Sequence, residues 1–163
     1  MDTRILFDKQ FTELVSGCKW YVSRERGNQY AVANTRKNGM ATTIKMHRLI
    51  LGLPKFKPEV DHINHNGLDN RLSNLRVVTT SQNQGNRKKR KTARNTSAFK
   101  GVHKHSFSKL NPKMRNPWIS KIFKDGKHYK VGSFGTEREA ALAYNKKATE
   151  LFGEYAYLNK VAS

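Results

Sequence analysis

Between Arg87 and Arg94 the chain reads RKKRKTAR, six cations in eight residues with no apolar side chain larger than alanine. Such a run cannot enter a hydrophobic core, because taking unpaired charges out of water costs more than their aliphatic stems return. It is therefore a boundary, and the residues on either side must build cores of their own. Two roles stay open for it: a charged tether, or an arm that orders only against phosphates. With 163 residues and a hydrophobic share of 36%, the chain has material for two small domains with modest cores.

Lys and Arg number 32 against 12 Asp and Glu, a formal net charge of +20. A surplus of this size selects a polyanion as partner, nucleic acid first. An anionic membrane surface is the rival, but the sequence has neither a run of about 18 apolar residues nor a basic amphipathic helix. The single Cys18 excludes an internal disulfide and a cysteine zinc site, which fits a reducing, cytoplasmic compartment. The opening MDTRILFDKQF carries acids and lacks an apolar h-region, so no secretory signal is expected.

Ahead of the boundary, KWYVS, QYAVA and ATTIKM are strand-like runs separated by Gly27-Asn28 and Asn38-Gly39, and they predict a small antiparallel sheet. MHRLILGLP allows a short helix at best, ended by Gly52 and Pro54. A further helix is expected to start at Thr80 or Ser81 and run to about Arg90. Beyond the boundary, FKGVHKH, NPWISKIF and KHYKVGSF predict three strands, the last two joined at Asp125-Gly126. Thr136 and Glu139 then form a capping box. Ala140, Ala143, Tyr144, Ala148, Leu151 and Phe152 recur at helical spacing before Gly153. That stripe, and Trp118, read as core.

From Val60 to Asn83 the chain reads VDHINHNGLDNRLSNLRVVTTSQN, with two histidines, two aspartates and five asparagines. Phosphodiester hydrolysis needs a water, a base for its proton and a cation for the crowded negative charge. Asp61 and Asn83 offer a carboxylate and an amide oxygen, a set that suits Mg²⁺. His62 is a natural general base near neutral pH, and Asn74 is available to fix its tautomer. Asp61 and His62 are adjacent, so both can serve one site only at a strand end or bend. An ordinary loop of turn-forming Asp, Asn and Gly remains the alternative on spacing alone. His65 reads as loop material and His47 as structural.

MHRLILGLP, VDHINHNGLDNRLSNLR and TTSQN together resemble the HNH endonucleases of the phage homing type. The resemblance implies a ββα-metal motif in which Asp61 and Asn83 ligate Mg²⁺ or Mn²⁺, His62 is the general base and Asn74 orients it. Asparagine stands at Asn83 where colicin-type HNH sites have a further histidine, which argues against tight zinc binding. Residues 97–159, through KGV, WISKI, KVGSF, EAALAY and YLN, resemble an AP2 domain. This implies a three-stranded antiparallel sheet packed on one helix. Its DNA contacts would come from Lys100, His103 and His105 on the first strand, Lys121 and Phe123 on the second, and His128 and Lys130 on the third. Plant members carry arginines and tryptophans at many of these places, so their target sequence does not transfer.

The expectation is an α+β chain: an N-terminal antiparallel sheet plus HNH nuclease domain at 1–86, a basic linker at 87–96 and an AP2-like DNA-binding domain at 97–159. Its function would be a monomeric, metal-dependent endonuclease of double-stranded DNA that nicks one strand, with no membrane partner. It would work in the cytoplasm of a bacterial host if of phage origin. Arg87, Lys88, Lys89 and Arg90 would add phosphate contacts. The competing class is a non-catalytic AP2-type regulator with an HNH scaffold; an RNA-binding protein fits the charge alone.

Overall fold

The computed structural model describes residues 4–25, 27–37, 39–89, 92–106, 111 and 113–162. Internal contacts divide the chain into two units, residues 1–79 and 80–163. The division falls after Thr79, ahead of the cationic run, so the helix that follows groups with the second unit. Arg90, expected to touch DNA, lies outside the described residues.

The first unit begins with a short helix, α1 (Thr12–Ser16), then a three-stranded antiparallel sheet of β1 (Trp20–Glu25), β2 (Asn28–Lys37) and β3 (Met40–Lys45), in that order. The central strand contributes Ala31, Val32 and Ala33, all buried. Helix α2 (Met46–Ile50) follows at once and buries Met46 and Ile50. A second, two-stranded antiparallel sheet pairs β4 (Glu59–His62) with β5 (Leu75–Val78), and a 3-10 turn at Leu72–Asn74 leads into β5. The core of this unit gathers Val15, Ala31, Met46, Ile50, Leu68 and Leu75.

Two devices place the end of β4. The buried Arg48 guanidinium donates to the carbonyls of Pro54 and Pro58, fixing the loop that enters the strand. On the exit side, the loop holding Gly67 lies tight on β2. A Cβ at Gly67 would fall 2.2 Å from the Gln29 carbonyl oxygen and 2.7 Å from the Tyr30 ring. The N-terminal segment straps the same loop, Leu6 N donating to Leu68 O at 2.8 Å and Asn70 N to Leu6 O at 2.7 Å.

The second unit opens with α3 (Thr80–Asn86), which starts where expected but stops four residues before Arg90. Its sheet is antiparallel in the order β6 (Val102–Lys104), β7 (Trp118–Lys124), β8 (Lys127–Phe134), with a register shift at Ser120/Lys121. Asp125 and Gly126 have φ of 49° and 78°, the left-handed pair that a two-residue hairpin requires. Helix α4 (Glu137–Phe152) packs on the sheet through alanines at 140, 141 and 148, together with Tyr144 and Phe152. Trp118 packs on the cluster of Val102, Ala140 and Ala141 and is a core residue. Among the described residues no helix is long and apolar enough to cross a membrane.

The Thr136 hydroxyl accepts from Glu139 N at 3.1 Å, and Glu139 Oε2 accepts from Thr136 N at 3.0 Å, completing the capping box. Thr136→Ala should lower the stability of the second unit by about 1 kcal/mol. A shift of its urea midpoint, with β-sheet content unchanged by circular dichroism, would register the loss.

Candidate active site

His62 is the last residue of β4, and the chain turns immediately, His65 N donating to His62 O at 2.9 Å. Asp61 and His62 therefore meet the strand-end condition. Both are buried, at 8% and 7% exposure. Asp61 stands opposite Arg76 on β5, whose Nε and a terminal nitrogen donate to Asp61 Oδ2 at 2.9 and 2.8 Å.

The His62 ring is enclosed by aromatic neighbours. His47 meets it edge-on, centroids 4.9 Å apart and planes at 89°, and Tyr30 flanks both histidines at 5.9 and 6.0 Å. Burial pushes the His62 pKa below its ordinary value, against opposing pulls from the Asn70 amide, Asp61 and Asp69. Burial likewise lowers His47, to about 3, reinforced by the proximity of His62, Lys45 and Arg48. Both rings are thus neutral near pH 7. Neither His62 Nε2 nor Asn70 Oδ1, though the residues interact, has a hydrogen-bond partner of good geometry.

Asn74 supports the site without bonding to His62 directly. Its Oδ1 accepts from Asn64 N at 2.9 Å and its Nδ2 donates to Asp69 O at 2.8 Å, so both ends of the amide are committed to the backbone of the loop. Asn64 and Asn66 cap turns in that loop, Asn66 N donating to Asn64 Oδ1 and Leu68 N to Asn66 Oδ1. Arg71 holds the nearly inaccessible Asp69 with two bonds of 2.7 Å and keeps its carboxyl below the usual range. His65 adopts a left-handed backbone, φ 61°, as loop material. Asn83 is half-buried on α3, in the second unit.

Sequence reasoning missed Asn70, Tyr30 and Arg76 as neighbours of the site, and assigned His47 a structural place that now proves to be against the His62 ring. Only Arg76 carried a signal. Antiparallel pairing of β4 and β5 places a cation opposite Asp61.

On the second unit, Lys121 pairs with Lys130 and Phe123 with His128 across β7 and β8, and all four side chains are exposed. The Phe123 and His128 rings are 4.9 Å apart. His103 and His105 are half-buried, and burial, then Lys121, lowers the His103 pKa. Arg87 and Lys88 are exposed. Lys89 and Lys100 turn inward instead: Lys89 donates to Phe99 O and Val102 O at 2.8 and 3.1 Å, and Lys100 donates to Gln84 O and Gly85 O.

Residues 46–84 match the family described as HNH endonuclease. A protein of Acanthamoeba polyphaga mimivirus, described as an uncharacterized HNH endonuclease, is 34% identical over 153 residues, a match covering 91% of this chain and 70% of that relative. No solved structure matches. The chain belongs to the HNH endonuclease family, and as an enzyme it is a DNA endonuclease.

Because folding lowers the proton affinity of His47 and His62, the unfolded chain binds more protons than the native one below about pH 6.5, the ordinary imidazole value. Stability of the first unit should be full above that pH and fall progressively as pH drops toward 3. Urea midpoints at pH 7 and pH 5 should show this, with His47→Phe flattening the dependence.

Proposed function

We propose that the chain is a divalent-metal-dependent endonuclease that nicks one strand of duplex DNA, with residues 97–159 acting as an AP2-like module that positions it. The observation that carries this reading is the placement of Asp61 and His62 together at the end of β4, within the segment that matches the family.

Among the described residues no group of three or more His, Cys, Asp or Glu could hold a metal ion, so a cage of the zinc type is not what this donor set offers. One carboxylate with an amide oxygen suits an ion that keeps several waters, which is the habit of Mg²⁺, with Mn²⁺ as a substitute. Asp61 and Asn83 are the residues that would hold it. When bound, the ion supplies Lewis-acid stabilisation of charge on the phosphate and the departing oxygen. His62 accepts a proton from water as the water oxygen bonds to phosphorus. The bond to the 3′ oxygen breaks, leaving a 5′ phosphate and, once protonated, a 3′ hydroxyl. Burial keeps the imidazole neutral against the opposing pull of the Asn70 amide, and Tyr30 and His47 flank the ring. Asn74 acts one step removed, by shaping the loop. A single centre of this kind cuts once per encounter, so a monomer yields nicks before linear product.

The exposed cluster of Lys121, Phe123, His128 and Lys130 supports the DNA-facing role of the second unit. Two lysines directly opposed across a ladder repel, and a phosphate backbone relieves that repulsion. Lysines are point charges without the fork that reads guanine, so modest base specificity follows.

Supercoiled plasmid should be converted to nicked circle with Mg²⁺ or Mn²⁺ and not with EDTA. His62→Ala should lose about a hundredfold or more in rate while keeping DNA affinity. Absence of nicking with any divalent cation would overturn the reading. The affinity of the wild type should fall steeply with salt, and the Lys121→Ala, Lys130→Ala double variant should shallow the log–log slope by about two. An unchanged slope would remove those lysines from the interface.

A further inference from the structure

Lys100 occupies a position that the AP2 resemblance assigns to DNA, yet its ammonium points into its own unit. It donates to the carbonyl oxygens of Gln84 at 3.2 Å and Gly85 at 2.6 Å, in the last turn of α3, and lies 5.6 Å from the centre of the Tyr157 ring. Those carbonyls are acceptors that a helix leaves unpaired at its C-terminal end, where the helix dipole favours a cation. Burial lowers the Lys100 pKa to about 8. The backbone of Lys100 is held just as firmly, its N–H donating to Asn159 Oδ1 at 2.7 Å and its carbonyl accepting from Asn159 Nδ2 at 3.1 Å.

Helix α3 needs this support. It has seven residues, too few to be stable unaided. Gly85 is buried so closely that a Cβ would fall 2.7 Å from the Phe152 ring and 3.1 Å from Tyr155 O, and Gly85 O also accepts from Tyr157 N at 3.1 Å. Lys89 secures the chain just after the helix to the carbonyls of Phe99 and of Val102, the first residue of β6. These fixed points at the C-terminal end of α3 belong to the unit that carries the exposed cationic sheet.

We infer that Lys100 is a positioning residue of the nuclease: it is the strut that fixes α3, and with it Asn83, to the DNA-reading sheet. The inference rests on the reading of Asn83 as a metal ligand. A ligand carried on a short helix is only as well placed as the helix. Displacement of about 1 Å at a reacting centre can cost on the order of a hundredfold in rate.

The test compares Lys100→Met, which keeps the stem and removes the donor, with Lys100→Arg, which restores a cation, in the full chain. At saturating plasmid and Mg²⁺, Lys100→Met should nick about tenfold to a hundredfold more slowly, with DNA affinity and salt slope within about twofold of wild type, and Lys100→Arg should recover most of the rate. Hydrogen exchange supplies a readout independent of activity: α3 amides should exchange about tenfold faster in Lys100→Met while α4 amides keep their protection. Unchanged turnover and α3 exchange, with DNA binding weakened and the salt slope shallower by about one, would overturn the inference and return Lys100 to the DNA interface. Asn83→Ala separates the two layers. If it nicks at the wild-type rate, the ligand reading itself fails; if it is inactive while Lys100→Met keeps full turnover and α3 protection, the strut alone fails.

Discussion

The amide of Asn74 is the interaction on which the first unit's site depends. By accepting from Asn64 N and donating to Asp69 O it closes the loop between β4 and β5 from the inside, with both ends satisfied. A loop that passes so near a core cannot leave backbone groups unpaired, and Asn64, Asn66 and Arg71 complete the accounting. The loop then has one shape, and that shape sets Asn70 against His62 while Gly67 rests on β2. The imidazole proposed as general base is kept neutral by burial, with His47 and Tyr30 against it, and the loop braced by its own side chains carries Asn70 beside it.

The cations divide by where they find acceptors. Lys89, Lys100 and Lys124 donate to backbone carbonyls and bind their unit together. Lys121, Lys130, Arg87 and Lys88 stay at the surface. Net charge alone cannot distinguish the two groups, although both contribute to the long-range field: the first has its ammonium groups on carbonyl oxygens and the second is exposed.

Much of the fold was legible because its signals are local. The turns at Gly27 and Gly39, the Asp125-Gly126 hairpin and the Thr136/Glu139 box each encode their geometry within a few residues, and each occurs where it was read. The end of α3 was misjudged because a cationic tail looks helix-compatible in sequence, whereas Gly85 and the inward turn of Lys89 are set by packing against residues more than sixty positions away or by carbonyls ten or more positions on. Of the site, the strand-end placement of Asp61 and His62 was legible as a condition. The enclosure of His62 was not. Tyr30 and His47 come from a sheet and a helix whose approach to β4 depends on the core of Met46, Ile50 and Leu68, and no spacing rule carries that information. Nor did any spacing rule show that the Lys100 ammonium donates to Gln84 O and Gly85 O.

The residues proposed to share the cation draw their rigidity from different sources. Asp61 sits on a strand, answered by Arg76 across the ladder and flanked by a loop that satisfies itself. Asn83 sits on a helix of under two turns, too short to be stable unaided and supported at Lys100 and Gly85. A lone carboxylate retains Mg²⁺ poorly, and the amide contributes usefully only if it is already in place, because ordering it during binding would consume the small free energy one neutral oxygen provides. Preorganisation of α3 is thus worth more to this donor set than to one rich in carboxylates. It also gives a physical reason for building α3 into the same unit as the sheet of β6, β7 and β8: among the described residues, that unit holds the 16-residue helix α4 and the clusters around Ile122 and Val102.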